Sequence, residues 1–272
     1  MPIATRKLTP GFGVEILGVD LSRDQPDALF DELRGLWAAR RLLLFRGQEL
    51  DPERTVALGA RFGTIQPSDN PYVDNHRTQG QYMYVSNREP DGVAREGALL
   101  FHSDECFSQA PLRALLLYGV AIPERGGDTL FADACAACAD LPERLRRRIE
   151  SLSALHVYDQ TCDRGDRRFR DATADPASPR ATHPVVLRHP VTGEPILYVN
   201  RLMTDRIVEL DADESESLLD ELLDHLYRPE HLYRHRWSRG DLLIWDNRAL
   251  QHARTDVDPG RERTLRRVPV AD

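Results

Sequence analysis

Cysteine is scarce in this chain, with four in 272 residues: Cys106, Cys135, Cys138 and Cys162. Cys135-Ala136-Ala137-Cys138 has the C-x-x-C spacing, but a redox or zinc reading needs a second pair or a suitable context, and the sequence offers neither. The alanine-rich surroundings suit two small residues on a helix. No apolar stretch approaches the roughly 20 residues that would span a bilayer. Met1-Pro2-Ile3-Ala4-Thr5-Arg6-Lys7 is not followed by an apolar segment, so no secretory signal is read and the cytoplasm is the expected location. Positive charge is in deficit. Lys and Arg total 36 against 44 Asp and Glu, a formal net charge of -8. That balance argues against nucleic acid or an anionic membrane as the main partner. Internal repeats and low-complexity tracts are missing too.

Hydrophobic residues make up 41% of the chain, enough for a sizeable core. A single domain over residues 1–272 is expected, and a homo-oligomer is left open. Leu29, Phe30, Leu33, Leu36 and Trp37 recur at helical spacing, and Arg41 to Phe45 reads as a buried strand. Asp51-Pro52 is a helix start, an acidic cap followed by proline at the first position, and that helix is expected to run to about Phe62. Leu112 to Val120 and Leu242 to Trp245 read as core strands, Pro142 to Leu152 as a charged helix. Asp213 to Tyr227 carries a stripe of leucines. Segments 66–99 and 159–184 are rich in turn residues and are expected to be long loops, a pocket wall and a lid. His183 to Val186 followed by Gly193 to Asn200 reads as a hairpin. The whole is mainly β with peripheral helices, a sandwich or distorted barrel.

The chemistry is concentrated in Phe101-His102-Ser103-Asp104 and Trp245-Asp246-Asn247-Arg248-Ala249-Leu250-Gln251-His252. Side chains two apart on a strand share a face, which would set His102 beside Asp104. With His252 they form two imidazoles and one carboxylate, the donor set of non-haem Fe(II) oxygenases. On these residues alone, an ordinary strand histidine bonded to Asp104 explains the pair as well. Cys106 follows closely, as a small group beside the site. Further motifs lie around these. Gly126-Gly127-Asp128-Thr129 follows the first half. Arg263 lies eleven residues past His252, with Arg267 four further on.

In this order and spacing, the motifs resemble the taurine dioxygenase / chlorophenoxyacetate dioxygenase family of Fe(II)- and 2-oxoglutarate-dependent enzymes. Gly11 to Leu21 and Arg46-Gly47-Gln48 extend the resemblance over nearly the whole chain. It implies a double-stranded β-helix, or jelly roll. It implies Fe(II) held by His102, Asp104 and His252 as the catalytic centre, with 2-oxoglutarate and O2 as cosubstrates. Arg263 then matches the anchor of the distal 2-oxoglutarate carboxylate, Thr129 its hydroxyl partner, and Arg267 a second arginine at the metal end. Strand alternation puts Arg263, Leu265 and Arg267 on one face and Arg266 on the other. Asp246 and Asn247 are expected to organise the turn before His252, and Arg248 to form an internal ion pair. The remaining histidines (His76, His156, His183, His189, His225, His231 and His235) read as surface or core residues.

The implied reaction is hydroxylation of a small organic acid, with cleavage where the hydroxylated carbon bears a heteroatom. A non-catalytic 2-oxoglutarate or metal sensor of the same fold is the alternative. A zinc hydrolase using the same triad is a third reading, opposed by the Arg263 and Thr129 pair. The family's asparagine four residues before the first ligand histidine is replaced by Ala98, and its tryptophan by Phe101. The region near Tyr72 lacks the His-Pro associated with taurine. Arg267, Ala98, Phe101 and Tyr72 are therefore the expected substrate contacts, and a carboxylate with an apolar body is expected in place of taurine.

Overall fold

The computed structural model describes residues 2–67, 78–158 and 176–272. Tyr72, His76 and Cys162 lie outside the described residues, as do residues 68–77 and 159–175 of the two expected loops.

Short apolar strands dominate. Leu42–Phe45 (β3), Ala114–Ala121 (β7), Leu242–Asp246 (β15) and Thr264–Ala271 (β17) are central strands of one large sheet. Its order is β1-β2-β3-β15-β7-β17-β4, where β1 is Ala4–Lys7, β2 Val14–Leu17 and β4 Thr64–Ile65. All its pairings are antiparallel except β2 with β3. Alternation along each strand divides its residues between two cores. Leu43, Phe45, Leu116, Ile244, Val268 and Val270 pack beneath helices α1 (Asp27–Arg40) and α2 (Pro52–Gly59). Leu42, Leu44, Leu115, Leu117, Leu243, Trp245 and Leu265 face the other way.

That second face meets a four-stranded sheet of order β14-β8-β16-β6. Its strands are Leu232–His235 (β14), Thr129–Asp133 (β8), Leu250–Arg254 (β16) and Leu99–His102 (β6). Phe131 and Leu250 from this smaller sheet join the same core as Trp245 and Leu243. Two sheets packed face to face over a shared core are the jelly-roll arrangement. Behind the smaller sheet, α5 (Ala212–Leu226) inserts Leu218, Leu219, Leu222, Leu223 and Leu226, all fully buried. Each contributes roughly 1.5–3 kcal/mol by leaving water. The Asp211 carboxylate caps α5 by accepting from Glu214 N at 2.9 Å.

Helix α3 (Ala134–Ala139) holds Cys135 and Cys138, both free and buried, as the alanine-rich composition suggested. Helix α4 (Glu143–Ile149) is the charged one. Helix α2 stops at Gly59, three residues short of the expected end. Arg41 is not part of β3: it takes a left-handed conformation, φ 64°, and its N–H closes α1 onto Trp37 O.

Both expected loops contain strand. Met83–Ser86 (β5) pairs with β17, and Arg180–Pro184 (β10) pairs with β9 (Ser153–Val157). The surrounding Pro, Gly and Asn hid them, because a four- or five-residue strand gets its stability from its partner's backbone and leaves little local pattern. Val186–Arg188 (β11) and Pro195–Leu197 (β12) form a hairpin, but its first strand begins later than expected, because His183 and Pro184 belong to β10; Thr204–Ile207 (β13) completes a three-stranded sheet with β9 and β10.

Candidate active site

Pairing of β6 with β16 places His102 directly opposite His252. Residues opposed across a ladder share a face, and the two imidazole centroids are 4.2 Å apart. Both lie on the face that carries Phe131, towards the large sheet, and the His252 ring meets the Trp245 edge at 5.1 Å.

Asp104 arrives by a different route from the one expected. Strand β6 ends at His102, so the carboxylate is not on the pleat. The chain bends over Ser103 to Glu105, with Glu105 at φ 56°. Asn247 holds the bend. Its Oδ1 accepts from Asp104 N at 3.0 Å, and its Nδ2 donates to Asp104 O at 2.9 Å and Leu112 O at 3.2 Å. The carboxylate Oδ1 then lies 3.2 Å from His102 Nε2 and 4.0 Å from His252 Nε2. One strand pair and one turn thus converge three donors within 4.8 Å of one another.

Protonation suits a cation at this point. His102 Nδ1 is 2.8 Å from Leu100 O, an acceptor, so it carries the ring proton and the Nε2 lone pair faces Asp104. Burial, reinforced by the neighbouring His102, pushes His252 down to about 3. Burial by itself would raise the Asp104 carboxyl. The Arg267 guanidinium outweighs it and holds the group well below the usual range. A neutral His252 and an ionised carboxylate are the states that ligate a divalent ion.

Arg267 is where alternation put it, on the inner face of β17. Its Nε donates to Asp104 Oδ2 at 2.7 Å and its Nη2 pairs with the same oxygen at 2.7 Å, while Nη1 meets Met83 Sδ at 3.7 Å. Arg266 occupies the opposite face, bonded to Leu50 O and Thr55 Oγ1 and lying over the rings of Tyr82, Tyr84 and Tyr118.

Arg263 is 3% exposed. Its Nε and Nη2 donate to Gly127 O at 2.9 and 2.8 Å, and its Nη1 is buried with no hydrogen-bond partner among the described residues. Burial, with Arg254 nearby, pushes the guanidinium down to about 9 against the opposing charge of Asp128, so it remains a cation at neutral pH. A buried cation with a spare donor fits a carboxylate ligand. This packing also explains the second glycine of the pair: Gly127 sits at φ +66°, and a Cβ there would collide with Arg263 Nε and Cδ. Thr129 is buried, and its Oγ1 accepts from Trp237 Nε1 at 2.9 Å.

Arg254 was not singled out from the sequence. It lies on β16 opposite Thr129, and its guanidinium donates to Ala94, Glu96 and Gly97 carbonyls, tying down the segment before β6. Period-two alternation from His252 was the available signal.

The expected substrate contacts separate. Ala98 is exposed just before β6. Phe101, adjacent to His102, points to the opposite face of the sheet, where it stacks on Tyr227 at 4.4 Å. It therefore belongs to the packing of α5 and not to the face bearing the imidazoles, because neighbours on a strand alternate. Cys106 is likewise core, hydrogen-bonded to Asn200 and Met203, with its thiol pushed by burial up to about 12. Asp246 caps its turn through Arg248 N and Ala249 N and binds His189, and Arg248 pairs with Asp272. Both match expectation.

The family model described as "Taurine catabolism dioxygenase TauD, TfdA family" matches residues 4–268. The alpha-ketoglutarate-dependent 2,4-dichlorophenoxyacetate dioxygenase of Cupriavidus pinatubonensis is 31% identical, covering 100% of this chain and 99% of that protein. The alpha-ketoglutarate-dependent sulfate ester dioxygenase of Pseudomonas putida is 32% identical, covering 99% and 88%. A crystal structure of a taurine dioxygenase from Burkholderia xenovorans superposes with a TM-score of 0.83 at 30% identity, covering 100% of this chain and 90% of that one.

Proposed function

The chain belongs to the TauD/TfdA family and is a non-haem Fe(II)- and 2-oxoglutarate-dependent dioxygenase, and on that premise we propose that His102, Asp104 and His252 hold its iron. The observation that carries this is the His102–His252 register with the Asp104 carboxylate 3.2 Å from His102 Nε2. Once bound, iron with 2-oxoglutarate and O2 supplies the oxidation in which 2-oxoglutarate becomes succinate and CO2 and the substrate gains a hydroxyl.

The protein's own residues position and neutralise charge. Leu100 O fixes the His102 tautomer, and Asn247 fixes the Asp104 bend. Arg263 takes the distal carboxylate of 2-oxoglutarate through its spare Nη1, with Thr129 beside it. Arg267 keeps Asp104 ionised and turns Nη1 towards the soft Met83 sulfur, a contact that an anionic group can replace. Thr129, Leu250 and Leu265 are buried around these groups, which limits water at the reacting centre.

The substrate is a small organic acid, and its class is a carboxylate with an apolar body. Ala98 lacks the amide donor that a compact zwitterion would use. A relative matched over this chain's full length is named for 2,4-dichlorophenoxyacetate, and another for (S)-phenoxypropionate. The test is a parallel assay of an aryloxyacetate, an alkyl sulfate and taurine with Fe(II), 2-oxoglutarate and ascorbate in air, scored by succinate and product. The aryloxyacetate should exceed taurine on the order of tenfold or more, the effect of burying a ring. His102→Ala should abolish succinate formation with every substrate. Taurine matching the aryloxyacetate would overturn the substrate class; an active His102→Ala would overturn the metal site.

A further inference from the structure

A second cluster of two imidazoles and a carboxylate lies away from the first. It comprises Asp140, which ends α3, His225 in the last turn of α5, and His231 in the 3-10 turn Pro229–His231. One donor atom from each lies within 4.8 Å of the others. His225 Nε2 is 2.8 Å from Asp140 Oδ1, and His231 Nε2 is 3.0 Å from Asp140 Oδ2. His225 Nε2 also lies 2.9 Å from Ala137 O. Both histidines are more than nine-tenths buried, and half of the Asp140 side chain is open to solvent.

His231 carries the argument. Its Nδ1 is 3.1 Å from His225 O and 3.2 Å from Leu226 O. Both are acceptors, so Nδ1 bears the ring proton. The Nε2 lone pair of neutral His231 is then aimed at a carboxylate oxygen. Two electron-rich atoms in that geometry repel unless something positive stands between them. His102 shows the same arrangement in the first cluster: Nδ1–H on a backbone carbonyl and Nε2 towards Asp104. A backbone carbonyl on the far nitrogen is also the usual second contact of a metal-bound histidine.

We propose that Asp140, His225 and His231 bind a second divalent cation, Zn2+, which staples the end of α3 to the end of α5 and the turn after it. Two nitrogens and one carboxylate oxygen suit zinc, with water completing four-coordination on the open Asp140 side. Bonds of about 2.0–2.2 Å in a tetrahedron set donors about 3.3–3.6 Å apart; the three donor atoms already lie within 4.8 Å of one another, and because the histidines face different oxygens of Asp140, at 2.8 and 3.0 Å, the carboxylate turns one oxygen to the ion. On binding, the His225 ring takes the tautomer with its proton on Nδ1 and gives up its Ala137 hydrogen bond, and the ion replaces a proton between His231 Nε2 and Asp140. The competing occupant is the proton alone.

Tyr227 lies between the two histidines. Its hydroxyl donates to Gln251 Oε1 at 2.8 Å, and its ring stacks on Phe101. These neighbour His252 and His102, so the staple holds the helix end against the back of the strands that carry the first cluster.

The test is equilibrium dialysis of chelator-stripped protein against Zn2+, with a melting curve at each load. The full-length chain should bind two ions, and the His102→Ala/His252→Ala double variant one. Adding Asp140→Asn or His231→Gln should remove one ion from either background. In the double variant, Zn2+ at a hundredfold excess over its Kd should raise Tm by roughly 5–10 °C, and Asp140→Asn should abolish the rise. Asp140 is half exposed, so its variant should fold even if His231→Gln does not, which circular dichroism checks. Zinc stoichiometry unchanged by Asp140→Asn, or a shift in acid stability without loss of an ion, would overturn the proposal in favour of the proton. Because these variants are read in both backgrounds, failure of the first metal assignment would leave this result interpretable.

Discussion

At the scale of single residues, the informative groups are those whose hydrogen-bonding capacity is incompletely used. Arg263 spends two donors on Gly127 O and keeps Nη1 buried and unmatched. Leaving a buried charged donor unsatisfied costs on the order of 1–3 kcal/mol or more, so such a group is retained where a ligand completes it. Arg263→Ala should raise the 2-oxoglutarate KM about 30-fold or more, since truncating one partner of a buried charge pair costs roughly 2–5 kcal/mol. Steady-state succinate formation against 2-oxoglutarate concentration measures this. An unchanged KM would move the anchor to another cation, with Arg254 the nearest candidate.

At the scale of elements, the candidate metal site is one strand pair and one turn. The β6–β16 register supplies the imidazoles and Asn247 supplies the bend that delivers Asp104. Asn247→Ala removes both bonds to the Asp104 backbone and the bond to Leu112 O. The Asp104 side chain would keep its Arg267 contacts but lose its fixed approach. Metal affinity should fall about 10–100-fold, the usual consequence of losing an outer supporting contact. Stability should fall by roughly 1–3 kcal/mol for the buried groups left unpaired. Anaerobic Fe(II) titration and urea melts read the two effects separately. A variant with intact affinity would show that the turn holds its shape without Asn247.

At the scale of the whole molecule, burial of histidine ties stability to pH. His156 on β9 is fully buried; its Nδ1 meets Thr204 Oγ1 at 3.2 Å, and its Nε2 has no partner among the described residues. Burial, with His183 adding to it, pushes His156 down to about 3 from 6.5. Between those values the unfolded chain binds a proton that the native protein refuses, so stability rises with pH through the window and falls on acidification. The slope from this residue is about 1.4 kcal/mol per pH unit between roughly pH 6 and 3.5. Urea melts of the wild type and His156→Leu at several pH values should differ by that slope, with the variant shallower. Parallel profiles would mean that His156 titrates normally.

What the sequence determined by itself was whatever local physics encodes. The leucine stripe of α5, the Asp51-Pro52 start of α2 and the buried runs Leu42–Phe45 and Leu242–Trp245 all follow from period, cap or burial within a short window. The inward face of Arg263, Leu265 and Arg267 followed from alternation. The identities His102, Asp104, His252, Arg263 and Thr129 were legible because their spacing resembles a family that the whole-chain match bears out. Tertiary structure decided the rest. His102 and His252 are separated by most of the chain and become neighbours only through a ladder register, which no local signal sets. Asp104 reached its place beside His102 by a turn stabilised from Asn247, not by the strand pleat on which the sequence argument relied. Phe101 lost its place beside the site because the sheet has two covered faces, and alternation gave it to α5. Asp140, His225 and His231 carried no shared spacing at all: the ends of two helices and a turn bring them together, and only packing fixes where helix ends meet.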